Sequence, residues 1–292
     1  MVNIFIGLIV IATLSFSFQS VARNVSVKEQ EFRSFPLRAP KKQEWSFSGP
    51  FGVYDKVQLR RGFQVYRQVC ASCHGLKYVA FHDLKALGYN QQQIQNFAKQ
   101  NEVKDGPNRE GEFFKRAGIA TDTFPSPFTN EEEARFILKS AYPPDLSLMA
   151  RARVISLPFP AVISDVLTHY NTAGPDYITA LLTGYQKAPE NKKIAGGYWY
   201  NPYFVASDTL TMAPPLRDGI VSYKDGAQET VEQYARDVSA FLMWVADPHM
   251  EIRKKTGFRV ILFLIILASL VYILKVRIWR SLEEKLGENR KG

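Results

Sequence analysis

Apolar and polar positions divide the chain into three parts. Asn3 to Phe18 is nearly continuous apolar sequence without charge and runs into the small residues Ser20-Val21-Ala22, the pattern of an export signal cleaved after Ala22. No Lys or Arg precedes the run, and it is neither Arg-rich nor amphipathic as a mitochondrial presequence is. An uncleaved N-terminal anchor is the alternative. At the other end, Val260 to Leu274 is uncharged and bracketed by Arg259 and Lys275. Long basic side chains snorkel, which extends the apolar helix from about Gly257 to Ile278, roughly 33 Å at 1.5 Å per residue and enough to cross a bilayer. A buried core helix is the competing reading, and the basic clusters on both sides weigh against it.

Between these segments the apolar spacing is helical. Val57, Phe63, Val65, Tyr66 and Val69 mark a helix interrupted by Gly62, which either admits a second helix closely or is simply tolerated. Leu84 to Phe97 predicts one short helix. Thr129 to Ser140 opens on cap-forming residues and three Glu, and Pro143-Pro144 stops it. Pro175 to Tyr185 predicts another short helix. Thr230 to Ala246 has the best stripe: Val231, Tyr234, Val238, Phe241, Leu242 and Val245. The rest reads as an extended arm over 23–49 docked by Trp45 and Phe47, a loop over 103–127 turning at Asp105-Gly106-Pro107-Asn108, an inserted loop over 154–174, and a Pro- and Gly-rich stretch over 201–219. Strand patterns are few and no repeat is visible. The expected fold is mainly α: a domain over 23–252 with long loops, one C-terminal transmembrane helix over 253–280 with its flanks, and a tail over 281–292.

Composition changes this picture in one respect. The formal charge is +9 over 292 residues, yet 253–292 holds 10 basic and 3 acidic residues, whereas 23–252 holds 27 and 25. The basic excess therefore belongs to the membrane tail and does not argue for nucleic acid. With the N-terminal domain exported, the more basic C-terminal flank faces the cytoplasm.

The chemistry sits in Cys70-Ala71-Ser72-Cys73-His74, a C-x-x-C-H attachment signature for haem c. Each thiol adds across a porphyrin vinyl group to give a thioether, and the next residue, His74, supplies an axial nitrogen to iron. A thioredoxin-like pair lacks its βαβ context here, and a zinc site needs about four ligands. An electron carrier also needs a sixth ligand, for which His82, His169, His249, Met149, Met212, Met243 and Met250 are available. Met212, in Leu210-Thr211-Met212-Ala213-Pro214-Pro215, stands before two stiff Pro residues that would hold a thioether in place, although an ordinary loop Met fits the same spacing. Arg151 and Arg153 are candidates to pair with haem propionates, and a solvated pair fits their spacing better.

Several stretches together resemble the cytochrome c1 family, the membrane-anchored haem subunits of ubiquinol–cytochrome c oxidoreductase. They are Trp45-Ser46-Phe47; Arg60-Arg61-Gly62-Phe63-Gln64-Val65-Tyr66 leading to the haem motif; Asp105-Gly106-Pro107-Asn108; Pro143-Pro144-Asp145-Leu146-Ser147; Leu182-Thr183-Gly184-Tyr185; and Asn201-Pro202-Tyr203-Phe204 through Met212-Ala213-Pro214-Pro215. The resemblance covers the chain from about Trp45 to the anchor. It implies one covalently attached haem c on Cys70 and Cys73, with His74 and Met212 as axial ligands, Arg153 on a propionate and Tyr177 near the haem. It implies an electron-carrying subunit rather than an enzyme by itself, with cytochrome b and Rieske iron–sulfur partners, a c-type cytochrome as acceptor, and membrane lipid around the anchor. It places the chain in a bacterial cell membrane with the haem domain in the periplasm. Two features depart from the family pattern: Leu138-Lys139-Ser140-Ala141-Tyr142 stands where Asn and Gly are expected, and the 154–174 stretch is longer than in mitochondrial members. Glu131-Glu132-Glu133 is a candidate acidic patch for a basic partner, and a solvated helix start is the more frequent reading of such a run. The rival function is a membrane-tethered haem enzyme with an open distal position; a haem sensor would need a signalling domain that the short tail does not hold.

Overall fold

The computed structural model describes residues 36–153, 163, 171–190 and 192–288. The export signal, the start of the arm, most of the 154–174 loop with His169, and the last four residues lie outside the described residues.

Two crossing helices form the centre of the domain. Helix α1 (Lys56–Val65) starts at Asp55, whose carboxylate accepts the amides of Val57 and Gln58 at 2.8 and 3.3 Å. Much later in the chain, a 16-residue helix (Val231–Ala246) starts at Thr230, buries Phe241 and Met243, and lies across α1. Gly62 is the crossing point. A Cβ there would stand 2.1 Å from the Asp237 carbonyl oxygen and 2.6 Å from the Phe241 Cβ, so only Gly admits this approach. Around the crossing, Phe63 meets Phe241, Phe97 and Phe124 with ring centroids 5.5–6.0 Å apart, an aromatic core that contributes large buried area. On the outer side, the buried Asp237 carboxylate takes Arg61 at 2.8 Å, Tyr223 at 3.0 Å and Gln233 at 2.9 Å, so the buried charge is paired and hydrogen-bonded.

After the motif the chain differs from expectation in three places. The single helix expected over 84–97 is two elements: a 3-10 helix (Phe81–Leu87), then Gly88 at φ +91, then helix α2 (Gln91–Lys99). Asn90 and Gln93 cap each other reciprocally at 2.9 Å, and this local chemistry outweighs the continuous apolar period. The loop expected over 103–127 contains an antiparallel hairpin, β1 (Glu102–Asp105) with β2 (Phe114–Ala117). Its strands lie on the surface and are rich in charge, so they carry no alternating apolar signal. Arg116 fastens it to the domain, pairing with Asp105 and holding Asp122 at 2.6 and 2.9 Å. Helix α3 (Glu131–Leu138) starts at Asn130 as expected but ends before the prolines, with Lys139 at φ +51.

The short helix α4 (Met149–Ala152) and helix α5 (Ala173–Thr183) then pack on the Val231–Ala246 helix. A two-residue ladder, β3 (Trp199–Tyr200) with β4 (Thr209–Leu210), closes the loop that precedes Met212. That central 16-residue helix is α6 in chain order. The arm docks as predicted: Trp45 and Phe47 are buried and stacked 5.2 Å apart, and the Trp45 indole donates to Asp176 at 2.7 Å.

The chain ends in helix α7 (Met250–Glu288), long and apolar enough to cross a membrane. It begins inside the domain, so the boundary expected between 252 and 253 falls in its first turn. Lys254 donates to the carbonyls of Phe47 and Gly52 at 2.7 and 3.2 Å, and Glu251 accepts the Tyr54 amide at 2.8 Å. From Phe258 to Ile278 its large apolar side chains are exposed, and no residue of its apolar window is buried within the protein. Among the described residues the fold is mainly α with one long apolar C-terminal helix, as expected.

Candidate haem-binding site

The C-x-x-C-H motif begins where α1 changes pitch. Tyr66–Cys70 is a π-helical turn, with the Ala71 amide donating to the Tyr66 carbonyl at 2.8 Å. Such wide turns inside α-helices concentrate at functional sites. The chain then tightens: Cys73 and His74 amides both donate to the Cys70 carbonyl, at 3.1 and 2.9 Å. Cys70, Cys73 and His74 therefore project from one turn. Cys70 and Cys73 form no disulfide with each other. Burial, with Cys73 adding to it, pushes the Cys70 thiol up to about 12, which keeps its proton in place near neutral pH. Among the described residues, no cluster of Cys, His, Asp and Glu could hold a free metal ion here, which argues against a zinc site.

His74 is oriented from outside the motif. Its Nδ1 lies 2.7 Å from the Pro144 carbonyl oxygen. A carbonyl can only accept, so Nδ1 carries the proton and Nε2 is the nitrogen free to bind iron. Burial also lowers the imidazole's proton affinity, more than the Pro144 carbonyl and Asp145 restore it. A neutral ring with a fixed tautomer is the form that ligates. The Tyr66 phenol holds the His74 carbonyl at 2.9 Å.

The Pro143-Pro144-Asp145-Leu146-Ser147 stretch laces onto the segment after the motif. Asp145 accepts the Lys77 amide at 2.9 Å, Ser147 accepts the Tyr78 amide at 3.2 Å, and the Leu146 amide donates to Gly75 at 3.0 Å. Helix α4 follows directly from this lacing, with the Arg151 and Ala152 amides donating to the Leu148 carbonyl at 3.0 and 2.8 Å, and Arg153 sits exposed at its C-terminal end. Gly174 lets α5 pack against α4, since a Cβ there would stand 1.6 Å from the Ala150 carbonyl oxygen. Tyr177, two per cent exposed on α5, has its proton held more tightly by burial, while Val205 and the Arg153 charge act the other way. The Arg153 charge therefore reaches the Tyr177 phenol electrostatically.

Met212 is half-buried, two residues beyond β4. Its loop is tied to the end of α5 twice. The Tyr185 phenol donates to the Met212 carbonyl at 3.0 Å, and buried Asn201 donates to the Leu181 carbonyl at 2.8 Å. Gly184 makes room for this: a Cβ would stand 2.4 Å from the Tyr203 ring. The other described ligand candidates stand elsewhere. Met243 and Met250 are one per cent exposed in the packed core, Met149 packs against that core, and His82 and His249 face solvent.

Three groups escaped the sequence reading. The Pro144 carbonyl orients His74, Tyr66 holds its backbone, and Tyr185 holds the Met212 loop. Pro144 and Tyr185 lie in stretches singled out by sequence, yet nothing in their identity tells which backbone or ring they meet. The acidic run is engaged locally: Glu131 pairs with Arg135 at 2.5 Å and Glu133 accepts the Thr129 amide at 2.6 Å.

The chain is similar to known proteins over most of its length. Residues 45–282 match the sequence model of the Cytochrome C1 family. Cytochrome c1 of Blastochloris viridis is 44% identical over 253 residues, covering 85% of this chain and 89% of that protein. Cytochrome c1 of Rhodospirillum rubrum is 38% identical over 258 residues, 83% of this chain and 88% of that one. Cytochrome b/c1 of Bradyrhizobium diazoefficiens is 49% identical over 244 residues, 82% of this chain but only 35% of that longer protein. With a family match over most of its length and the C-x-x-C-H turn in place, the chain belongs to the cytochrome c1 family.

Proposed function

We propose that this chain is the haem-bearing electron-transfer subunit of a cytochrome bc1 complex. Cys70 and Cys73 provide the thiols for covalent attachment, His74 Nε2 the proximal ligand and Met212 the distal thioether. When bound, haem c supplies a one-electron iron couple. The chain's own residues hold it in position, fix the histidine tautomer through Pro144, and place Arg153 and Tyr177 where a propionate carboxylate finds a cation and a phenol. A thioether ligand favours ferrous iron and raises the potential. The subunit takes electrons from a Rieske iron–sulfur protein and passes them to a c-type cytochrome, with cytochrome b as its membrane partner. The chain is an electron carrier and not an enzyme alone. It crosses the bacterial cell membrane once, with the export signal removed, the haem domain periplasmic and the C-terminus cytoplasmic. Glu131 and Glu133 are engaged locally by Arg135 and the Thr129 amide, which leaves little dedicated charge there for the acceptor.

The observation that carries this reading is the His74–Pro144 contact in the same turn as Cys70 and Cys73, which form no disulfide, in a family-matching chain. The test is made in a host able to mature c-type cytochromes. The denatured chain should retain covalent haem, and changing Cys70 and Cys73 to Ala should abolish that retention. Reduced wild-type protein should bind carbon monoxide poorly, and Met212→Leu should bind it readily at a lowered potential. A colourless denatured chain would refute the haem assignment; strong carbon monoxide binding by the wild type would favour the open-site enzyme instead.

A further inference from the structure

Where α7 leaves the domain, the turn at Phe51 and Val53 and the first turns of the helix enclose an open depression of about 230 Å³. Its rings are exposed by construction. Phe51 is 75% exposed and Phe258 55%, and they meet edge to face at 5.7 Å. The turn is clamped to the helix by Lys254 on the Gly52 carbonyl and by Glu251 on the Tyr54 amide. Gly52 is required there, because a Cβ would stand 2.2 Å from the Ser48 carbonyl oxygen. Water-facing aromatic surface held this firmly is surface kept for a partner.

The depression also carries charge. Lys255 and Arg259 line it one helical turn apart, both exposed, and neither has a carboxylate within ion-pair distance among the described residues. Like charges at this spacing repel, so an anion between them is favoured. Position on the chain sets the depth. Arg259 directly precedes the uncharged run 260–274, and Lys255 stands about 6 Å further out at 1.5 Å per residue. With the hydrocarbon beginning at that run, the rings fall at its edge and the cations at the level of phosphates. A second protein chain would have to bring carboxylates to that boundary, where they are costly; a phospholipid presents its phosphate there already.

We propose that this depression is a binding site for one anionic phospholipid, its phosphodiester on Lys255 and Arg259 and its upper acyl chain along Phe51, Val53 and Phe258. The site is separate from the haem motif and does not depend on the haem assignment. It lets the clamped turn and the helix read the membrane surface together, fixing the height of the domain above the bilayer.

The test uses the full-length chain in its assembled complex, purified in mild detergent with phosphatidylglycerol or phosphatidylcholine added, and counts retained lipid by native mass spectrometry. Lys255→Gln combined with Arg259→Gln should cut phosphatidylglycerol retention about tenfold while leaving phosphatidylcholine retention and the haem spectrum unchanged. Inorganic phosphate should not displace the lipid, because it lacks the acyl contacts. A photoreactive p-benzoylphenylalanine in place of Phe51 should cross-link to lipid. Unchanged phosphatidylglycerol retention in the double variant, displacement by inorganic phosphate, or cross-linking of position 51 to another polypeptide each overturns the proposal.

Discussion

The phenol of Tyr185 donates a hydrogen bond to the backbone carbonyl of Met212 across 3.0 Å, joining the end of α5 to the loop that carries the proposed thioether ligand. The ring is largely enclosed, and burial, with Tyr177 adding to it, holds its proton more tightly than usual. The phenol therefore remains a donor at every pH the protein meets. Tyr185→Phe removes that donor without removing the ring. The expected cost is about 1 kcal/mol of stability. The more telling expectation concerns the loop: with its tether gone, the thioether binds iron less firmly, the reduction potential falls, and the reduced variant takes up some carbon monoxide. A redox titration with a carbon monoxide difference spectrum checks this. Wild-type values in both would reduce Tyr185 to a packing residue.

Gly62 sets the distance between the two central helices. Alanine there drives a methyl group into the Asp237 carbonyl and the Phe241 side chain, and neither is the free end of a flexible chain. Gly62→Ala should therefore destabilise the domain by about 3 kcal/mol, despite the better helix propensity of Ala. Chemical denaturation of the soluble domain with its haem attached, followed by far-ultraviolet circular dichroism, measures it. A change below about 1 kcal/mol would mean that the helices can separate at little cost.

Much of this was legible in the sequence because the relevant information is local. The C-x-x-C-H spacing, the Thr230 cap with its apolar stripe, the Asn130 cap before three Glu, and the uncharged run after Arg259 each declare their structure within a few residues. What was hidden depends on distant partners. The β1–β2 hairpin has no apolar alternation because neither face is buried; it is held by Arg116 reaching Asp122, a bond between residues that look like surface charges. The split at Gly88 follows from a capping pair that the continuous apolar period masks. The Pro144 carbonyl on His74 is a backbone atom, and no side-chain pattern reports it.

The stretch before Pro143 holds a backbone conformation that its residue type does not favour. Lys139 closes α3 at φ +51, ψ +33, the left-handed region that residues with a Cβ enter at a cost of about 1 kcal/mol. This is the cap position at which Gly and Asn are favoured. Lys139→Gly should therefore stabilise the protein by about 0.5–1 kcal/mol, and Lys139→Val should destabilise it by at least as much. Thermal unfolding of the two variants side by side tests the sign. A destabilising Gly substitution would show that the Lys side chain contributes more than its backbone costs.

Asp176 gives the stability of the domain a pH dependence whose sign can be worked out. The residue is buried at the start of α5. One carboxylate oxygen accepts the Trp45 indole at 2.7 Å and the Gln43 amide at 3.0 Å; the other accepts the Thr172 hydroxyl at 3.3 Å. Burial raises its proton affinity above that of an ordinary Asp, and those hydrogen bonds and the Lys42 charge offset this only in part. The folded state therefore holds the proton more tightly than the unfolded chain. Stability is greatest below the unfolded value of about 4, declines as pH rises from there through the raised folded value, and is level above it. Asp176→Asn keeps an oxygen for Trp45 and Gln43 and has no charge to bury. It should remove that decline and match or exceed the wild type at neutral pH. Asp176→Ala instead leaves the indole and amide donors without an acceptor, and should cost about 1–3 kcal/mol at every pH. Denaturant midpoints for the three proteins between pH 3.5 and 7 separate the two effects. The Asn variant should diverge upward from the wild type as pH rises, and the Ala variant should lie below it throughout. An Asn variant that loses ground with rising pH would mean that the carboxylate is stabilised by its donors more than burial penalises it.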